Sequence, residues 1–216
     1  MTIGILGAGR LGLTVARLFA AAGHRVLVAN SRRPSTLAVQ VRGLGPDAAA
    51  CSAEELVRRS DIVVLAVPWT QVPSVAARLG PWRDKIVVDA TNNRYGPEPG
   101  DVYDLSGRGS SEIVAELLPG ARLVKAFNHQ PFASLAMLRP GRPSGKALFV
   151  AGDDQDAKRA VARLIEDIGG TPVDTGGLRD GGRLQATGGP LAGQGRLLEV
   201  DEARDLLTRV AGGTAT

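Results

Sequence analysis

Gly7-Ala8-Gly9-Arg10-Leu11-Gly12 has the glycine spacing of a loop that lets backbone approach a polyanion. Gly7 permits a tight turn, Gly9 leaves room for a pyrophosphate, and Gly12 lets a helix pack closely on a strand. A helix opening at such a loop turns its free N–H groups and positive dipole end toward phosphates. Further on, Asn30-Ser31-Arg32-Arg33 stands where an NAD site usually carries an acidic residue for the ribose 2′-hydroxyl. A carboxylate there would repel a 2′-phosphate, whereas a hydroxyl and two guanidinium groups bind it through charge-assisted hydrogen bonds. The two patterns together predict a dinucleotide site that takes NADP(H).

A third candidate is Asn128-His129, just past a later strand. The unperturbed pKa of histidine lies near working pH, so as a general acid His129 would let the protein reduce a carbonyl or imine directly. Its plainer role is a hydrogen bond that holds the loop before Pro131. His24 and His129 are the only histidines and Cys51 the only cysteine, so neither a metal-ligand cluster nor an intrachain disulfide is expected.

These residues need elements to place them. Thr2–Leu6 is an apolar run of strand type, and Leu11, Val15, Leu18, Phe19 and Ala22 follow at the spacing of one buried helix face. Gly23 stops that helix and residues 25–29 form a second strand. Residues 35–42 read as a short helix, and residues 48–51 as a short outer strand. Ser52-Ala53-Glu54-Glu55 is a capping box for a helix reaching Arg59. Residues 61–67 and 85–89 are almost wholly apolar strands, as expected where both sheet faces are covered. A helix follows Pro68-Trp69 as far as Leu79. Ser110 or Ser111 is expected to cap a helix to Leu118, and Asp153 one over residues 155–168. Further strands are expected at residues 122–127, 147–151 and 171–175.

Two regions differ in character. Residues 90–109 turn to Asn, Pro, Gly, Tyr and Asp just beyond a strand, where ligands sit in open α/β sheets. After Gly176 a glycine-rich tract precedes one amphipathic helix at residues 199–210 and a tail expected to be disordered. The division is thus a dinucleotide-binding domain, residues 1–175, and a small C-terminal segment, residues 176–216. The fold class is α/β: a doubly wound, mostly parallel sheet of Rossmann type with a small C-terminal helical appendix. The segment is too short for its own core, and its apolar face (Leu198, Ala203, Leu206, Leu207 and Val210) calls for a partner, so a homodimer is expected.

The chain of 216 residues carries a net charge of +4, which with its pI of about 9.7 raises the question of nucleic acid. The arginines are scattered and aromatics few, so the balance favours anionic small molecules and not nucleic acid. A strand beginning at Thr2 leaves no room for a signal peptide, and the apolar runs are too short to cross a bilayer. A cytoplasmic protein without membrane contact is expected.

The stretches GILGAGRLG, NSRRP, DIVVLAVPW, KIVVDATN, SSEIVAELLPGARLVKAFN, FVAGDD and VDTGGL occur in order over most of residues 2–178. In this the chain resembles the small oxidoreductases that pass hydride between NADPH and the deazaflavin coenzyme F420, whose fold is shared by the NADPH-binding domains of metalloreductases. The resemblance implies NADP(H) as cofactor, with coenzyme F420 or a flavin as the redox acceptor. Hydride transfer between two such rings asks the protein mainly to hold them close and exclude water. The strand ends would supply Gly7 to Gly12, Ala66-Val67-Pro68, Ala90-Thr91-Asn92 and Asn128-His129. Thr91-Asn92-Asn93 and Asn128-His129-Gln130-Pro131 are more polar than their family counterparts. The long C-terminal helix of the family, which helps form a dimer, is here interrupted by glycines. Two other functions fit the same residues: an NADPH-dependent reductase of a small carbonyl or imine, and a non-catalytic NADPH-binding sensor.

Overall fold

Strand β1 (Thr2–Leu6) leads into the glycine loop, and α1 (Arg10–Ala21) leaves it with Val15, Ala16, Leu18 and Phe19 buried. The computed structural model describes residues 1–96, 98 and 100–213, with side chains as far as Val210. Gly23, at φ +84°, ends α1 and returns the chain to β2 (Arg25–Ala29). A 3₁₀ turn (Pro34–Leu37) and α2 (Ala38–Arg42) carry it to the edge strand β3 (Ala48–Ala50). Ser52 caps α3 (Ala53–Arg59), its hydroxyl accepting from the Glu55 N–H at 3.1 Å. Next come β4 (Ile62–Leu65), a 3₁₀ turn (Trp69–Gln71), α4 (Val72–Arg78) and β5 (Ile86–Asp89). The second half holds α5 (Ser110–Leu117), β6 (Arg122–Ala126), α6 (Phe132–Leu135), β7 (Ala147–Gly152), α7 (Gln155–Asp167) and β8 (Thr171–Asp174). Two helices close the chain, α8 (Asp180–Leu184) and α9 (Val200–Gly213).

The eight strands form one sheet in the order β3-β2-β1-β4-β5-β6-β7-β8. Every pairing is parallel except β6 with β7. Chain order reverses between β1 and β4, which opens a crevice beyond their carboxyl ends. Apolar side chains fill both faces: Val15, Phe19, Val161 and Leu164 from α1 and α7 on one, Leu56, Val57, Val72 and Val114 from α3, α4 and α5 on the other.

Three local expectations change. Gly109, not a serine, stands at the N-cap of α5, where its N–H donates to Glu112 Oε2 at 2.6 Å. Ser110 and Ser111 turn inward instead, both buried. Asp154, not Asp153, caps α7 by accepting from the Ala157 N–H at 2.9 Å, and Asp153 accepts from the Leu178 N–H. The C-terminal segment makes two helices and packs on its own sheet. Leu191, Leu198 and Ala203 are buried against Ala147, Phe149 and Val173, with Leu206 and Leu207 partly covered beside them. The apolar face that called for a second copy is therefore largely covered within the chain. Residues 214–216 of the tail lie outside the described residues.

Candidate active site

The loop's packing gives Gly7 and Gly12 the turn and close-approach roles expected of them. Gly7 has φ +111°, and a Cβ there would stand 2.2 Å from the Ala66 carbonyl oxygen. A Cβ on Gly12 would meet the Gly7 carbonyl oxygen at 1.9 Å, so α1 is held against the loop at backbone contact. Nothing lies within 4 Å of a Cβ built on Gly9, which leaves space directly above the start of α1. Two glycines are therefore required by packing, while the backbone at the middle one is open to the space outside.

Gly7, Ala8 and Gly9 line a cleft of about 640 Å³ together with Asn30, Ser31, Arg32 and Ala66, Val67, Pro68. Asn30 shapes the turn below its rim: Oδ1 accepts from the Arg32 N–H at 2.8 Å, and Nδ2 donates to Thr36 Oγ1 at 3.3 Å. That turn presents Ser31 and Arg32 to the cleft, while exposed Arg33 begins the next 3₁₀ turn outside the lining. Arg10 is exposed at the first position of α1, its guanidinium carbon 5.2 Å from the centre of the Phe132 ring. Leu11 and Gly12 pack into the protein. The opposite wall is α4 with the turn before it, which adds Gln71, Ser74 and Arg78. The sequence reading missed these three, because a polar helix face reads the same whether it meets solvent or a cleft.

Ala90, Thr91 and Asn92 stand apart from this cleft, at the carboxyl end of β5. Here a charged pair lies fully buried: Lys125 Nζ is 3.2 Å from Asp89 Oδ2, with side-chain exposures of 1% and 0%. Asp89 also accepts from the Thr91 N–H at 2.9 Å, the Thr91 hydroxyl at 2.6 Å and the Ser111 hydroxyl at 2.5 Å. Burial acts to raise the Asp89 carboxyl, but Lys125 and these hydrogen bonds outweigh it and hold the group below its ordinary value. The pair ties the end of β5 to β6, and Lys125 also donates to the Thr91 carbonyl at 3.4 Å. The signal for it was one acid and one lysine in the otherwise apolar runs 86–89 and 123–127.

Beyond β6 the backbone enters a left-handed conformation at Phe127, φ +64°, which is uncommon for a residue with a bulky side chain. Asn128 Nδ2 donates to the Gln185 carbonyl at 2.7 Å and to Asn92 Oδ1 at 3.2 Å, while Asn92 Nδ2 donates to the Asn128 carbonyl at 3.0 Å. Thr187 donates to Asn92 Oδ1 at 3.0 Å. The strand ends are thus sewn to the C-terminal segment, a role for Gln185 and Thr187 that no local pattern announced. His129 is buried, with Nε2 accepting from the Phe149 N–H at 3.4 Å. Burial, with the charge of Lys125 nearby, pushes its pKa down to about 3. In this arrangement the imidazole is neutral near neutral pH, with its one proton on Nδ1 and Nε2 accepting from β7. A general acid at this place would have to act as the neutral imidazole, since the imidazolium is disfavoured by burial and by Lys125.

Between residues 93–110 and 183–189 lies a second pocket, of about 320 Å³, lined by Asn93, Tyr103, Arg108, Ser110, Arg183 and Thr187 among others. Ser110 Oγ, on its wall, is 3.5 Å from Lys125 Nζ. The Tyr103 ring is 5.8 Å from that of Trp69, which follows directly on Pro68 of the first cleft. Tyr103 thus stands between the two spaces.

Residues 2–93 match the family model described as NADP oxidoreductase coenzyme F420-dependent. A solved structure of a hypothetical protein from Sinorhizobium meliloti is 38% identical, with a TM-score of 0.82 over 92% of this chain and 96% of that one. The chain is thus similar to this family of NADP-dependent oxidoreductases over its N-terminal part. Metalloreductase STEAP3 of Rattus norvegicus is 30% identical over 186 residues, or 85% of this chain. The chain spans only 36% of that metalloreductase's length. A protein from Arthrobacter sp. fb24 described as an F420-dependent NADP-reductase shares the fold at a TM-score of 0.69 and 24% identity. Among the described residues, no helix is long and apolar enough to cross a membrane.

Proposed function

We propose that the protein binds NADP(H) along the first cleft and passes hydride between it and a deazaflavin, coenzyme F420, or a flavin held at the second pocket. The observation that carries the cofactor assignment is the empty space above Gly9 in the same cleft as Ser31 and Arg32. That space accepts a pyrophosphate against backbone N–H groups, and the hydroxyl and guanidinium donors suit a 2′-phosphate. When bound, the nicotinamide and the flavin-like ring supply the redox chemistry themselves.

The residues of this chain then have positional tasks. Gly7 to Gly9 seat the phosphates, and Arg10 at the start of α1 adds charge beside them. Ser31 and Arg32 select the 2′-phosphate, with Arg33 strengthening the positive field from outside the lining. The backbone at Ala66-Val67-Pro68 flanks the ribose, and that at Ala90-Thr91-Asn92 flanks the nicotinamide. Asn128 fixes Asn92, and through it the floor between the two spaces. A ring that carries its own redox chemistry suits a site whose buried histidine stays neutral, since it draws less on acid–base help from the protein.

Two measurements test this reading. NADPH oxidation is followed by absorbance with coenzyme F420, FMN, riboflavin, carbonyl compounds and imines in turn, and turnover with a deazaflavin or flavin is expected. Turnover confined to carbonyls or imines would overturn the acceptor assignment. For the cofactor, a charge-assisted hydrogen bond contributes roughly 1.5–3 kcal/mol, so Arg32→Ala should weaken NADPH binding about tenfold to a hundredfold and barely change NADH. Equal loss for both cofactors would remove the basis for NADP selectivity.

A further inference from the structure

Arginine stands on both walls of the dinucleotide cleft. Arg32 lines it from the turn after β2, and Arg78, the last residue of α4, lines it from the other side one turn beyond Ser74. The nearest carboxylate to Arg78 is Glu54 at the start of α3, with Nη2 to Oε1 at 3.8 Å and both side chains more than half exposed. That contact is long and solvated, of the kind that contributes little. Glu54 has its carboxyl lowered chiefly by its own backbone N–H and by Ser52, with Arg78 the smallest cause. Arg78 is therefore weakly engaged. Two cations lining one cleft suit an anion between them, and a phosphate monoester has three terminal oxygens to share between two guanidinium groups.

We infer that Arg78 is a second clamp on the 2′-phosphate of NADP(H), leaving Glu54 for the cofactor when it binds. The inference rests on the NADP(H) reading above and adds a specificity-determining residue from the opposite wall. Glu54 then acts as a competitor for the guanidinium, so the two residues affect affinity with opposite signs.

The test uses the redox-inactive probes 2′,5′-ADP and 5′-AMP, which differ only in the 2′-phosphate. Their affinities are measured by calorimetry for the full-length wild type, Arg32→Ala, Arg78→Ala, Arg78→Lys and Glu54→Gln. Arg78→Ala should weaken 2′,5′-ADP roughly fivefold to tenfold, toward the low end for a charged contact because the site is open to solvent. It should leave 5′-AMP unchanged. Arg78→Lys should recover part of the loss, and Glu54→Gln should tighten 2′,5′-ADP about twofold to threefold by removing the competing charge. Equal weakening of both probes by Arg78→Ala would overturn the clamp in favour of contact with the adenosine. No weakening of either would leave Arg78 as a surface ion pair. A wild type that does not prefer 2′,5′-ADP would refute the NADP(H) reading itself. A preference abolished by Arg32→Ala but untouched by Arg78→Ala would refute only this inference.

Discussion

Removing the ammonium from the buried pair, by Lys125→Met, isolates a term that the site depends on. Asp89 and Lys125 are both 0% exposed, and the variant leaves a carboxylate with three hydrogen-bond donors but no countercharge. Breaking a buried pair by deleting one partner costs about 3–5 kcal/mol. The Thr91 and Ser111 donors remain, which places the expected loss near the lower end, about 3 kcal/mol. Against a total of about 5–15 kcal/mol the variant still folds. Urea unfolding followed by tryptophan fluorescence should show the midpoint falling by about 1–1.5 M, for a slope of about 2–3 kcal/mol/M. Lys125→Met combined with Asp89→Asn should recover part of the loss, because no unpaired charge is left inside.

The pH dependence gives a second, independent sign. In the wild type the folded Asp89 pKa lies below the unfolded value of about 3.9, so its contribution is fully present above that pH. It is lost as the pH falls through the lower folded value. Without Lys125, burial becomes the main influence and acts to lift the folded pKa above the unfolded one. The variant is then relieved by protonation, and its deficit relative to wild type should narrow as the pH falls toward that of the unfolded carboxyl. A loss under about 1 kcal/mol, or a deficit that stays constant with falling pH, would refute the reasoning.

The glycines make a contrasting set: Gly9→Ala should fold with unchanged melting temperature yet lose NADPH affinity, while Gly7→Ala should lose both, as its Cβ collides with the Ala66 carbonyl. Near-ultraviolet circular dichroism and a binding titration separate the two cases, and equal behaviour would contradict the assignment. His129→Gln should keep turnover within roughly tenfold and leave the pH–rate profile unmoved, because the wild-type imidazole, with its pKa near 3, is already neutral across the working range. A loss of more than about a hundredfold with NADPH affinity intact would support the general-acid role. Burial raises the Cys51 thiol to about 11, with Glu55 adding to the effect, so alkylation near pH 8 should be slow until the protein is unfolded. Rapid labelling of the folded protein would count against that environment.

By itself the sequence determined the strand–loop–helix–strand start, the packing reason for Gly7 and Gly12, and the order of the strands and longer helices along the chain, though not the short helices α6 and α8. These follow from spacing over a few residues: period-3.6 apolar positions in α1, unbroken apolar runs in β4 and β5, and Ser52 three residues before Glu55. It also placed Ser31 and Arg32 at a strand end, since the site after β2 is fixed by the fold class. What joins distant parts of the chain was decided only in three dimensions. Local preference made Ser110 and Ser111 caps, but a buried Asp89 and Lys125 draw them inward. His129 has the same composition around it whether it faces a substrate or the core; the packing of Phe149 beside it settled that. The C-terminal helix shows an apolar stripe that any surface could cover, and its own β7 and β8 do so. Arg78 reads as a solvated helix end until α4 is laid along the cleft. Periodicity records which side of an element is apolar, but not which neighbour meets it, because that depends on contacts between residues far apart in the chain.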